Sequence, residues 1–167
     1  STGIIVCVSY FLIVAGIFLT QSNMIFFPEK EVSRTPRHIN LEYNELTLKT
    51  KDGVNISGWY IPAKNEKGVL IFCHGNAGNI SYNLEYIRIF NELQISTLAF
   101  DYRGYGKSEG KPSEGGTYLD ADAVWDYLIA QGRESNSIII YGQSLGGAIA
   151  AELAMRKKPA ALVLEAT

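Results

Sequence analysis

Histidine is scarce in this sequence: its 167 residues hold two, His38 and His74. Cysteine is equally rare, and Cys7 and Cys73 stand in apolar runs at no zinc or redox spacing. No metal centre is expected, and a disulfide between the two is not expected either. Neither sign of charge prevails, with 15 basic against 17 acidic residues and no basic face, which argues against nucleic acid as a main partner. No internal repeat and no low-complexity segment is found. Hydrophobic residues make up 47% and charged residues 19%, which excludes a disordered or fibrous chain. This length suits one domain with a sizeable core.

Charge is absent altogether from Ser1 to Pro28, and Ile4 to Thr20, "IIVCVSYFLIVAGIFLT", is almost wholly apolar. A buried helix should show a polar face, and this segment has none. A cleaved signal peptide should end in small residues, and "TQSNMIFFP" offers no such site. The expectation is a single-pass membrane anchor over residues 1–27, a linker over 28–40 and a folded domain over 41–167. Lys30, Arg34 and Arg37 weakly favour the cytoplasm for the side after the anchor, and orientation stays open.

From Leu41 onward, strands alternate with helices. "LEYNELTLKT" and "VNISGWYIP" flank Asp52-Gly53, a hairpin signal. "GVLIFC", "STLAF", "SIIIY" and "AALVLEA" read as strands, the first as one buried on both faces. Helices are expected over 81–93, over 117–130 (Ala121, Val124, Trp125 and Leu128 share a face) and over 144–157. The fold class is α/β: a mostly parallel sheet behind an antiparallel hairpin, with helices on both faces.

In such a sheet, chemistry is expected beyond the carboxyl ends of the strands. "CHGNAGN", "DYRGYGKSEG" and "GQSLGG" stand there. The last has the form G-x-S-x-G between a strand and a small-residue helix, which points to Ser144 as an exposed nucleophile. Gly142 and Gly146 remove collisions at the sharp turn, and the N–H of Leu145 becomes one oxyanion donor. The bland alternative is a glycine-rich cap with a capping serine. The second donor should come from the loop after the "GVLIFC" strand, where Gly75 and Gly78 let the chain turn and Asn76 offers its N–H. A plain glycine turn is the alternative there.

"YGKSEG" is no phosphate cradle, because a P-loop would need glycine at Asp101, and Glu109 breaks G-x-G-x-x-G. Asp101 and Arg103 read as ties within their turn. The sequons at Asn55 and Asn79 read as fortuitous.

These three motifs, in this order, make the chain resemble α/β-hydrolase-fold serine hydrolases, and most of all the membrane-anchored α/β-hydrolase-domain group. The resemblance runs from about Phe26 to Thr167. It implies cleavage of an ester, thioester or amide through an acyl-enzyme on Ser144, with Asn76 and Leu145 as oxyanion donors and no cofactor or metal. It also implies an acid and a histidine on loops after later strands, so the C-terminal strands are expected to be missing and these 167 residues alone to be inactive. His74 ends a strand and is expected to support the oxyanion loop; His38 is expected in solvent, and Glu165 reads as ordinary. The expected substrate is a small molecule, lipid or acyl-protein. A non-catalytic, membrane-tethered binding domain is the alternative.

Overall fold

The computed structural model describes residues 2–166, without the side chains of Thr2 and Leu19. Helix α1, Thr2–Ile25, precedes a short strand β1, Phe27–Pro28. Then follow β2 (Asn44–Lys49), β3 (Asn55–Ile61), β4 (Gly68–Cys73), a two-residue β5 (Ala77–Gly78), α2 (Leu84–Glu92) and β6 (Ile95–Phe100). The chain continues through α3 (Glu114–Ala130), β7 (Ile138–Gln143), α4 (Leu145–Lys157) and β8 (Ala161–Glu165).

The main sheet runs β2-β3-β6-β4-β7-β8. β3 is antiparallel to β2 and β6, while β6, β4, β7 and β8 are parallel. Alternation along β4 sends side chains to two cores. Val69, Ile71 and Cys73 join Val124, Trp125, Leu128, Ile149 and Leu153 of α3 and α4. Leu70 and Phe72 join Leu84, Ile87 and Phe90 of α2 on the other face. A strand covered on both faces must be apolar throughout, as "GVLIFC" is. The sheet order reverses at β4, since the chain goes to β6 on one side and returns to β7 on the other. That reversal opens a crevice at the carboxyl ends of β4 and β7.

Two helices begin differently from expectation. Residues 80–83 form a 3₁₀ turn before α2. Helix α3 starts at Glu114, ahead of the expected 117, because Ser113 caps it by accepting from the Gly116 N–H at 3.2 Å. Gly116 is dictated by tertiary packing: a Cβ there would stand 2.5 Å from Cδ of Arg103.

The N-terminal region differs too. Among the described residues no helix is long and apolar enough to cross a membrane, so the expected spanning helix over residues 1–27 is not found there. The described side chains of α1 are mainly apolar only from Gly3 to Phe18, and Thr20, Gln21, Ser22 and Asn23 make its last turns polar. That apolar stretch falls short of the roughly 20 residues a hydrocarbon core requires. Residues 28–40 lie along the domain. Asn79 donates its side-chain amide to the carbonyls of Glu29 (3.1 Å) and Glu31 (2.7 Å), and Lys30 Nζ donates to the Ser108 carbonyl at 2.7 Å. Among the described residues β8 forms the sheet edge, with Leu162, Val163 and Leu164 between 39% and 48% exposed.

Candidate active site

β4 and β7 are neighbours, with Cys73 opposite Gly142, so the loops that leave them lie side by side. Ser144 occupies the turn between β7 and α4 at φ 50°, ψ −121°, a region that costs a non-glycine residue about 1–3 kcal/mol. Its surroundings over-determine that backbone. The Ser144 N–H donates to the Glu165 carbonyl at 2.8 Å, and its own carbonyl accepts from the Gly147 N–H at 2.8 Å. A Cβ at Gly142 would stand 2.6 Å from Cβ of Ala150. At Gly146 it would stand 2.6 Å from the Cys73 carbonyl carbon and from the His74 carbonyl oxygen. The result is an exposed serine side chain at the N-terminus of a 13-residue helix.

Gly75 approaches this turn closely: a Cβ there would lie 3.8 Å from Cβ of Ser144. Asn76 follows it. Among the described residues, neither the N–H of Asn76 nor that of Leu145 makes a hydrogen bond. The structure therefore brings Ser144, Gly75, Asn76 and Leu145 to one crevice, with Gly142 and Gly146 packed beneath.

The histidines lie elsewhere. His38 is exposed in a 3₁₀ turn and its Nδ1 accepts from the Thr35 N–H at 3.1 Å. His74 is wholly buried, with rings of Tyr102 and Tyr105 at 4.4 and 5.3 Å. Its Nδ1 donates to the Gly75 carbonyl at 2.7 Å, which leaves Nε2 bare and 3.6 Å from Oδ1 of Asp101. Burial pushes the imidazole down to about 4, so it is neutral. Burial raises the Asp101 carboxyl to about 7, against the opposing pull of the Ile80 N–H and Lys30. Neither ring is hydrogen-bonded to Ser144 among the described residues. Burial also pushes the Cys73 thiol up to about 12, which makes it inert.

Three sets of contacts escaped sequence reasoning. Tyr102 donates to the His74 carbonyl at 2.9 Å and Tyr105 to the Asn76 carbonyl at 2.7 Å, so these tyrosines brace the loop after β4. Their place in "DYRGYGKSEG" was visible, but nothing in it says that they reach across the sheet. Asn76 donates its side-chain amide to the carbonyl of Ile25, the last residue of α1, at 3.0 Å. Finally, Glu165 is not ordinary: it accepts from Tyr86 at 2.9 Å and from the Tyr141 hydroxyl, while Gln143 donates to Tyr86 at 2.7 Å. The expected ties are present: Asp101 accepts from the Ile80 N–H at 2.8 Å, and Arg103 binds Asp52 and Asp120 at 2.7 and 2.9 Å. Asn79 is buried, so its sequon is inaccessible in this fold.

Residues 64–167 match the family model described as serine aminopeptidase, S33. The chain belongs to this hydrolase family. It is 37% identical to the α/β hydrolase domain-containing protein WAV2 of Arabidopsis thaliana, over 93% of this chain and 55% of that protein. It is 36% identical to the uncharacterized membrane protein YNL320W of Saccharomyces cerevisiae, over 86% of this chain and 52% of that one. The chain thus spans about half the length of these curated relatives. Its fold matches the Pyrococcus furiosus esterase Pf2001 with a TM-score of 0.70 at 27% identity, covering 80% of this chain and 52% of that one. It is an α/β-hydrolase.

Proposed function

We propose that Ser144 is the nucleophile of a serine hydrolase acting on an ester, thioester or amide. The observation that carries this is the backbone of Ser144, held at φ 50° in a strand-to-helix turn with its side chain exposed. A capping serine needs no such conformation. In the proposed reaction Ser144 Oγ attacks the carbonyl carbon and gives its proton to a base. The carbonyl oxygen becomes an oxyanion that accepts from the N–H groups of Asn76 and Leu145, the latter favoured further by the α4 dipole. Collapse expels the alcohol, thiol or amine with that proton, and water then releases the acid. With His74 facing Asp101 and His38 in solvent, no base stands beside Ser144 among the described residues. For the 167 residues alone, that favours binding without appreciable turnover.

The reading includes attachment to a membrane through α1. Ile4, Ile5, Phe11, Leu12 and Ile13 are all more than 60% exposed, and apolar surface of that extent on a helix without a polar face calls for lipid. The yeast relative's description as a membrane protein supports it. The protein is expected to remain with membranes after carbonate washing; recovery in the wash would overturn the attachment.

The nucleophile is tested in a chain extended to its relatives' length. A fluorophosphonate probe should label it, and Ser144→Ala should abolish labelling with the circular dichroism spectrum unchanged. Persistent labelling of Ser144→Ala would place the nucleophile elsewhere.

A further inference from the structure

The end of α1 meets the domain immediately beside the serine. Phe18, Ile25 and Phe26 face Tyr118 of α3 and Leu145 and Ile149 of α4 across a cavity of about 460 Å³. These six side chains give it a mainly apolar lining. Two polar groups in its wall are satisfied locally, Tyr118 donating to Glu114 at 2.8 Å and Thr117 Oγ1 to the Glu114 carbonyl at 2.8 Å, while Gln21 and Ser22 of α1 add polar side chains to the same wall. Among the described residues its one charged lining residue, Glu114, is exposed.

Size, position and rim say what the cavity suits. Its volume falls within the roughly 300–1,000 Å³ of small-molecule pockets. Leu145, in its wall, adjoins Ser144 and carries one proposed oxyanion donor. Ile25, on the other side, is held by Asn76, the residue that carries the second. Ser144 itself does not line the cavity, so a chain lying there would reach the serine past Leu145. At the rim Phe18 is still 68% exposed and continues into Ile17, Val14 and Phe11, an apolar track along α1.

We propose that this cavity binds the long acyl chain of a lipid, drawn from the bilayer along α1, so that the carbonyl of that chain is presented to Ser144. The identity of the bond cleaved rests on the serine-hydrolase reading; occupancy of the cavity does not.

The two are tested separately. The chain is reconstituted in phosphatidylcholine vesicles whose acyl chains carry a terminal diazirine, irradiated, and mapped by mass spectrometry. Cross-links are expected on α1 and, decisively, on the α3 and α4 walls around Tyr118 and Ile149. Two variants fill the cavity. A Cβ at Gly115, which lines it, meets nothing within 4 Å, and Ala148 lines it with an exposed side chain, so Gly115→Phe and Ala148→Trp are expected to fold. Both should remove the α3 and α4 cross-links while keeping those on α1. Cross-links confined to α1, or wall cross-links that survive both variants, would overturn the inference.

Turnover supplies the second arm, in the extended chain. The variants should lower the preference for p-nitrophenyl palmitate over p-nitrophenyl acetate by about tenfold or more, as expected when a hydrophobic pocket loses room for its substrate. An unchanged preference would count against the acyl site. Wall cross-links lost in the variants, with neither ester hydrolysed by the parent protein, would instead retire the hydrolase reading and leave the lipid site standing.

Discussion

Gly146 passes so close to Cys73 that a Cβ on it would stand 2.6 Å from the Cys73 carbonyl carbon. The first residues of α4 can approach the end of β4 only because that side chain is missing. Gly146→Ala should therefore lower stability by about 3 kcal/mol, since the obstacle is backbone and cannot swing away. Urea unfolding followed by far-UV circular dichroism reads this directly. A midpoint equal to that of the parent protein would mean that the turn relaxes, and would weaken the case for a strained Ser144.

Arg103 links two carboxylates of very different exposure. Asp120 is fully buried, whereas the Asp52 side chain is 39% exposed. Arg103→Ala strands the Asp120 charge and should cost about 3–5 kcal/mol. Asp52→Asn breaks a solvated pair and should cost no more than about 1 kcal/mol. The same urea titration compares them, and equal losses would contradict the assignment of Asp120 as the buried partner.

His74 and Asp101 make opposite contributions to acid stability. Burial holds His74 neutral down to about 4, against an ordinary 6.5, so its penalty is present in acid and relieved as pH rises to 6.5. Asp101 is raised from 3.8 to about 7, so its contribution is full below 3.8 and lost as pH rises through 7. Across the window between about 4 and 6.5 the two nearly cancel, because the folded pair and the unfolded pair bind the same number of protons. Asp101→Asn removes one side of that balance. Its stability should then rise with pH across the window by up to about 1.4 kcal/mol per pH unit. Parallel pH profiles for parent and variant would exclude the pair as described.

The edge strand β8 predicts behaviour in solution. Leu162, Val163 and Leu164 are each at least 39% exposed, and among the described residues β8 pairs with β7 on one side and is the last strand of the sheet. Such an edge pairs readily with another chain. The 167-residue chain should self-associate in light scattering, even in detergent sufficient to cover α1. Replacing Val163 with Lys, which gates an edge by charge, should reduce that association. A monodisperse parent chain would show that the edge is protected.

The sheet was legible because its strands are short apolar runs between turns, and Asp52-Gly53 announced the hairpin. The elbow was legible for a different reason: Gly142 and Gly146 are spaced around Ser144 by a local steric need, and local needs leave local marks. What could not be read involves side chains that meet only once the sheet is assembled. The bonds of Tyr102 and Tyr105 to the loop after β4 join residues 28 and 29 positions apart. Tyr86 of α2 and Glu165 at the end of β8, 79 positions apart, meet only in the assembled sheet. The start of α3 was misjudged because Gly115 and Gly116 weaken a helix by propensity alone, whereas Ser113 and the nearby Arg103 side chain decide the matter.

One feature of the N-terminus bears on where the site can work. Helix α1 runs into β1 with Phe26 alone between them, and β1 pairs with β5 directly after Asn76. A helix joined in this way has a single residue of linker between it and the strand beside the site. If α1 attaches to lipid as proposed, the crevice at Ser144 would be held close to the bilayer surface. Substrates dissolved in bulk water would have to find a stationary mouth, while those already in the leaflet would pass it by lateral diffusion.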